Sequence, residues 1–310
     1  MARAVHVLAA GGLAAFPTET VYGLGADATS GEACAKIYEA KQRPAFNPLI
    51  SHVASLQAAQ LQGIFNTAAM KLASAFWPGP LTLVVPAAAT CSVCLLARAG
   101  LDSLALRVPA HPLAHELLAA FGKPVAAPSA NRSGRISPTS AEHVMTELAG
   151  RCDLVIDGGA AEVGLESTII ACTDDHPVLL RPGGISREDI ERVLGGPLKS
   201  AEGDTAITAP GMLAHHYAPD APLRLQARSI ESGEAVLDFG GQLGAMAPAA
   251  FAYADLSPRG DLREAAAKLF ALLRKLDASG ATRIAAAPVP EHGLGEAIND
   301  RLRRAAAPRA

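Results

Sequence analysis

Four short segments concentrate hydroxyls, cations and carboxylates where runs of β-forming residues end. The first is Pro17-Thr18-Glu19-Thr20-Val21-Tyr22-Gly23-Leu24-Gly25. Two hydroxyls and a carboxylate leave a strand and enter a glycine turn, where the missing Cβ allows positive φ and close approach of a ligand. The second is Lys41-Gln42-Arg43-Pro44-Ala45-Phe46-Asn47-Pro48-Leu49, with Ser51 and His52 after it. Two cations at the end of a helical pattern either complement the helix dipole or clamp phosphate, Arg by a forked contact and Lys as a point charge. In the third, Ser103 to Pro109, Arg107 sits among Leu104, Leu106 and Val108. A buried arginine needs a partner, and either a carboxylate ligand or a structural Asp or Glu would serve. Ala126-Ala127-Pro128-Ser129-Ala130-Asn131 then supplies small residues and hydrogen-bonding groups after a strand. The fourth pairs Gly164-Leu165-Glu166-Ser167-Thr168 with Leu179-Leu180-Arg181-Pro182-Gly183.

Several chemistries have no footing. There is no G-x-x-x-x-G-K-[ST] phosphate loop and no G-x-S-x-G nucleophile elbow. Cys91 and Cys94 form a C-x-x-C without a second pair at zinc spacing, and His215-His216 has no third ligand, so no protein-built metal site is expected. Five cysteines, an odd number, suit reduced thiols and a cytosolic protein. Lys and Arg total 27 against 30 Asp and Glu, a net charge of −3, which argues against a broad nucleic-acid-gripping surface. A local basic groove and a weak RNA contact remain compatible with it. No apolar run reaches the roughly 18 residues of a membrane span.

The elements that must position these segments alternate. Strands are predicted at Leu13–Phe16, Leu49–Val53, Leu81–Val85, Leu104–Val108, Val125–Ala127, Leu154–Ile156, Thr168–Ala171 and Val178–Leu180. Helices are predicted from the Ser30 cap to Ala40, at Pro112–Phe121, and from the Ser186 capping box to Leu194. Gly195 to Pro222 has linker composition, yet carries Pro210-Gly211-Met212 and His215-His216-Tyr217-Ala218-Pro219. Beyond it, strands at Leu223–Leu225, Ala235–Leu237, Ala252–Leu256 and Arg283–Ala286 alternate with helices at Leu262–Leu276 and Leu294–Ala307, the pattern of a parallel three-layer unit.

The motifs P-T-E-T-V-Y-G-L-G, K-x-R-P-x-x-N-P-L, W-P-G-P-L-T, R-x-P-x-H-P, A-P-S-A-N, E-S-T-I-I and L-L-R-P-G follow one another from Pro17 to Gly183. Together they resemble the YrdC-like family of threonylcarbamoyl-AMP synthases, and the Pro210–Pro219 stretch resembles the linker of that family's long, two-domain form. The resemblance implies an α/β fold: a twisted, mostly parallel sheet with a concave face over residues 1–200, a linker or lid over 201–221, and a small Rossmann-like α/β/α domain over 222–310. It implies a nucleotidyltransferase that makes L-threonylcarbamoyladenylate and pyrophosphate from L-threonine, bicarbonate or CO2, and ATP with Mg2+. Other proteins would transfer the threonylcarbamoyl group to tRNA adenosine beside the anticodon.

Matched position by position, the resemblance assigns Thr20, His52, Arg107, Ala127 and Ser167 to threonine. It assigns Lys41, Arg43, Asn47, Ser103, Ser129, Ser137, Arg181 and Tyr217 to ATP. Arg107 would pair the substrate carboxylate, the cations would face phosphates, and Tyr217 would reach back over the nucleotide. The substrate supplies the nucleophile, so no catalytic side chain is implied; the protein positions reactants and spreads charge. Competing expectations are a carbamoyl-adenylate maker of the hydrogenase-maturation type and an RNA-binding module.

Overall fold

The computed structural model describes residues 1–44, 46–201 and 217–307. Ten strands form one sheet: β1 (Ala14–Phe16), β2 (Gly23–Asp27), β3 (Ile50–His52), β4 (Leu81–Pro86), β5 (Ser103–Arg107), β6 (Val125–Ala126), β7 (Leu154–Val155), β8 (Thr168–Ala171), β9 (Val178–Arg181) and β10 (Lys199–Ser200). Their spatial order is β10-β9-β8-β4-β5-β3-β6-β2-β1-β7. Four pairings are parallel, β10 with β9, β8 with β4, β5 with β3 and β1 with β7. The other five are antiparallel.

A second sheet, in the order β11-β14-β12-β13, is built from β11 (Leu223–Arg224), β12 (Glu234–Asp238), β13 (Ala252–Asp255) and β14 (Arg283–Ala286). Its three pairings are all parallel. The predominance of parallel pairing across the chain is therefore carried by the small sheet, while the large one is mixed.

Local chemistry sets the helix starts. The helix α1 (Ala2–Ala9) precedes β1. In α2 (Gly31–Lys41) the Ser30 hydroxyl accepts the Ala33 N–H at 3.2 Å. Two short helices, α3 (Leu56–Gln60) and α4 (Thr67–Phe76), are capped by Ser55 and Asn66. Pro112 opens α5 (Pro112–Phe121), where its missing N–H costs nothing. Ser140 caps α6 (Ala141–Leu148), and Ser186 caps α7 (Arg187–Leu194) through the Asp189 N–H. The second unit contributes α8 (Leu262–Asp277) and α9 (Gly295–Ala306). Leu269, Phe270, Leu273 and Leu276 of α8 are fully buried. Each such side chain stabilises by roughly 1.5–3 kcal/mol.

Two expectations change. The segment after Thr20 is not a glycine turn: Gly23, Leu24 and Gly25 form β2, antiparallel to β1. The glycines are there for space. A Cβ on Gly25 would stand 2.8 Å from the Phe16 ring, and one on Gly23 would stand 3.2 Å from the Ala127 Cβ. The linker-like stretch from Gly195 also contains β10, which adds to the sheet edge by pairing with Val178 and Leu179.

The large sheet has two chemically different faces. One is covered by α2, α4, α6 and α7, with Leu24, Leu81, Leu83, Leu106 and Ile170 pointing into that core. On the other, Ile50, Val84, Ala105 and Ile169 form an apolar floor, and His52, Arg107 and Arg181 share that face by strand alternation.

Candidate active site

At the ends of β3, β5 and β8, a cleft opens on this floor. Its walls include Thr18, Thr20, Arg43, His52, Arg107, Ala127, Ser129, Glu166, Ser167, Arg181 and Tyr217. Nine of the thirteen expected substrate positions, all five assigned to threonine among them, thus meet in one place.

Arg107 anchors one end. Its Nη2 donates to Glu19 Oε1 at 2.7 Å, its Nη1 to Thr20 Oγ1 at 2.9 Å and its Nε to the Gly79 carbonyl at 3.2 Å. The other Glu19 oxygen accepts the Ala110 N–H at 3.0 Å. Burial works to raise the Glu19 pKa, but the Arg107 charge and the hydrogen bonds outweigh it and hold the carboxyl below its ordinary range. Of the two partners the sequence leaves open for Arg107, the structural carboxylate is therefore present, and it is Glu19. Arg107 keeps further N–H groups, because a guanidinium has five. His52 lies beside Arg107 in the β3–β5 register. Burial first, then the Arg107 charge, lowers its pKa to about 3, so the ring is neutral at physiological pH. Its Nδ1 is buried with no partner among the described residues. Ala127 is fixed by its N–H to the Ile50 carbonyl at 2.9 Å.

Cations dominate the other end. Arg181 donates through Nε and Nη2 to the Ser167 carbonyl at 3.2 and 2.8 Å. The Ser167 hydroxyl lies 2.7 Å from that of Thr82. Arg43 donates to the carbonyls of Pro48 at 3.1 Å and Asn47 at 3.4 Å. Burial lowers the pKa of Arg43 to about 10 and lowers that of Arg181. Neither arginine makes an ion pair among the described residues; each is steadied by neutral carbonyls, an arrangement suited to receiving an anion.

The remaining four expected residues do not line the cleft. Lys41 donates to the carbonyls of Ser129 and Asn131 and supports that loop from beneath. Burial pushes its pKa well below the ordinary lysine value. Asn47 is buried, with neither amide atom partnered among the described residues. The Ser137 hydroxyl donates to Glu166 behind the wall. Ser103 opens β5 four positions before Arg107, which is about 13 Å at the usual strand rise of roughly 3.3 Å per residue. It faces the same side of the sheet as Ala105 and Arg107.

Tyr217, buried, closes the cleft from the second unit's side. It stacks on Phe270 with ring centroids 5.4 Å apart. Pro210 to His216, including the paired histidines of the expected lid, lie outside the described residues. Two site features escape sequence reasoning. Glu166 Oε2 accepts from Arg301 Nε of α9 at 2.8 Å, and the Arg301 guanidinium lies 5.2 Å from the Tyr217 ring. The only sequence signal for Arg301 is an arginine next to Leu302 on the apolar stripe of Ala297, Ile298 and Ala305.

Two family models cover the chain: Sua5_yciO_yrdC, described as "Telomere recombination", over residues 6–183, and "Threonylcarbamoyl-AMP synthase, C-terminal domain" over residues 185–307. The chain belongs to the threonylcarbamoyl-AMP synthase family. The threonylcarbamoyl-AMP synthase of Bacillus subtilis is 43% identical, over 99% of this chain and 92% of its own. That of Pyrococcus abyssi is 43% identical, over 95% and 90%. Among solved structures, Pyrococcus abyssi Sua5 complexed with L-threonine superposes with a TM-score of 0.85 at 40% identity, covering 98% of this chain and 93% of that one. Both sheets of this threonylcarbamoyl-AMP synthase family member therefore have counterparts in a relative of nearly the same length. Among the described residues no helix is long and apolar enough to cross a membrane.

Proposed function

We propose that this chain condenses L-threonine, bicarbonate or CO2, and ATP into threonylcarbamoyl-AMP and pyrophosphate, for threonylcarbamoyl-adenosine modification of tRNA beside the anticodon. The observation that carries the reading is a single cleft with a hydroxyl-and-arginine end, Thr20 with Arg107, and a cationic end, Arg43 with Arg181. The threonine amine captures CO2 as a carbamate. A carbamate oxygen then attacks the α-phosphorus, and the bond to the pyrophosphate oxygen breaks.

In this reading Arg107, held by Glu19, receives the threonine carboxylate with its remaining N–H groups. Thr20, neutral His52 and Ser167 surround the substrate side chain, and the Ala127 backbone closes that end. Arg43 and Arg181 neutralise the charge that grows on the departing pyrophosphate. Ser129 and Tyr217 flank the nucleotide, and Lys41 acts on it by fixing the Ser129–Asn131 loop. Ser103, Asn47 and Ser137 stand outside the cleft wall. Ser137 acts on the ATP side through its bond to Glu166, and the roles of Ser103 and Asn47 rest on the family resemblance alone.

The residues do not build a Mg2+ site of their own. Glu166 in the cleft wall and Glu19 behind Arg107 are each committed to an arginine, and no cluster of metal-binding side chains occurs among the described residues. Mg2+ would therefore enter with the nucleotide, as MgATP. Residues 1–200 form the catalytic domain in this reading, 201–221 the linker and lid, and 222–310 the second domain. The work is cytoplasmic, with the product passing to threonylcarbamoyl-transferase proteins. The match of the synthase C-terminal model to residues 185–307 favours this reading over the hydrogenase-maturation one.

The test is incubation with ATP, bicarbonate and Mg2+, with and without L-threonine, and mass spectrometry of the products. Threonylcarbamoyl-AMP should form only with threonine. Pyrophosphate release that ignores threonine would overturn the assignment.

A further inference from the structure

Arg301 is the largest side chain with no exposure among the described residues. It stands on α9, in the part of the chain matched by the C-terminal model, yet its contacts run toward the cleft. Nε donates to Glu166 Oε2 at 2.8 Å. Nη1 is held by Asp300 Oδ2 at 2.6 Å and by the Pro182 carbonyl at 3.0 Å, next to Arg181. The guanidinium lies 5.2 Å from the Tyr217 ring, which also stacks on Phe270. Glu166 uses its other oxygen to accept the Ser137 hydroxyl. Nη2 is buried with no partner among the described residues.

A seam between two units needs no such residue. Apolar contact would hold it, and Tyr217 on Phe270 already supplies some. Stripping water from a guanidinium costs several kcal/mol, and replacing a buried ion pair with apolar side chains is often neutral or stabilising. Leaving Nη2 unpartnered adds to the cost. The arrangement makes sense where the charge sets other groups. Apart from Asp300 on its own helix, every group Arg301 touches is either a cleft wall, Glu166 and Tyr217, or lies directly beside one, as Pro182 lies beside Arg181.

We infer that Arg301 is a positioning residue for ATP, through which the second unit fixes Glu166 with Ser137, Tyr217, and the Arg181–Pro182 backbone against the nucleotide. This rests on the proposed assignment of that end of the cleft to ATP. Arg107 of the threonine end is held separately, by Glu19 and Gly79, with Ala110 on Glu19. Only Ser167, next to Glu166 and bonded by Arg181, ties that end to the groups Arg301 holds. Arg301 therefore acts mainly on ATP.

The experiment is calorimetric titration of the full chain with ATP and, separately, with L-threonine. The variants are Arg301→Lys, Arg301→Gln, the double variant Arg301→Gln/Glu166→Gln, and Arg303→Gln as a same-helix control. The double variant replaces the buried ion pair by two amides, so it remains informative if the single Gln variant does not fold. Among variants that keep the wild-type circular dichroism, ATP affinity should fall on the order of tenfold or more for Arg301→Gln or the double variant. Arg301→Lys should recover part of that loss. Threonine affinity should fall much less than ATP affinity, because Ser167 alone of the threonine end adjoins a group that Arg301 holds. The Arg303 variant should bind both as wild type does. Unchanged ATP affinity in folded Arg301 variants, or equal loss for both substrates, overturns the inference. Wild type that binds ATP but releases no threonine-dependent pyrophosphate would sink the synthase reading and leave the ATP comparison intact.

Discussion

The guanidinium of Arg107 and the carboxylate of Glu19 meet at 2.7 Å with both side chains almost wholly buried. Neighbours in sequence and strand order hold the pair from both sides: Thr20 and Gly79 on the arginine, Ala110 on the glutamate. In the proposed reading, a substrate carboxylate arriving at Arg107 would meet a cation already oriented by its ion pair with Glu19.

Removing the glutamate charge should be costly twice over. In Glu19→Gln the arginine stays buried without its counter-charge, and breaking one side of such a pair typically costs about 3–5 kcal/mol. Urea unfolding should register that loss. Threonine binding by the folded fraction should change as well, because the orientation of Arg107 is released. A variant as stable as wild type would mean that the pair contributes little.

Acid should act through Glu166. Its carboxyl has a pKa of about 2 against an ordinary 4.5; burial opposes this shift, and Arg301 and Arg181 more than offset it. A carboxylate depressed on folding stabilises the native state above its unfolded pKa and loses that contribution as pH falls toward the folded one. The contribution is about 3 kcal/mol by linkage and should fade between about pH 4.5 and pH 2. The Glu166→Gln variant should lack this part of the wild-type decline in unfolding free energy.

His52 acts in the same direction as Glu166, but from a higher pH. Its folded pKa of about 3 lies below the ordinary 6.5, so below about pH 6.5 the unfolded state gains a proton the native state refuses. The ring resonances of His52 should stay fixed from pH 8 to pH 5. Replacing it by Gln should remove part of the stability loss across that acid range. A His52 ring that titrates near 6.5 would contradict this.

The glycines of β2 offer a purely steric test. Gly25→Ala would place Cβ 2.8 Å from the Phe16 ring, 3.0 Å from the Val125 side chain and 3.1 Å from the Ala14 carbonyl. Overpacking of this kind costs about 1–3 kcal/mol. At Gly31, in the first turn of α2, nothing lies within 4 Å of an added Cβ. Gly31→Ala should be neutral or slightly stabilising, by up to about 1 kcal/mol. Thermal denaturation of the two variants should separate them.

The same contrast explains what could be read in the sequence. Ser30 and Ser186 announce α2 and α7 because a cap is a bond between close neighbours, and Pro112 announces α5 because its φ is already that of a first helical turn. The strand β8 follows from the β-branched run Thr168, Ile169 and Ile170. The glycines of β2 invite a turn, since the ring of Phe16 that excludes a side chain there is visible only in three dimensions. The cleft residues before Gly183 are legible because they sit in compact polar motifs beside strand ends or, for Arg43, beyond the end of α2. Glu19 could be named as a polar residue but not as the partner of Arg107. Arg301 could not be placed at all, because its meaning depends on Glu166, far away in the chain.

The cleft also has an unusual ownership. Thr20, Arg107 and Arg181 precede Ala201, whereas Tyr217 and its neighbour Arg301 follow residue 216. Both flanks are fastened: Ala201 donates its N–H to the Leu179 carbonyl at 3.1 Å, and Ala218 donates to the Gly134 carbonyl at 2.9 Å. A cut anywhere between them would leave every wall residue intact on one of two fragments. The halves would carry complementary surfaces ready to recognise each other, and their reunion could be scored by ATP binding alone. The protein is in this sense a split reporter with its two pieces still joined.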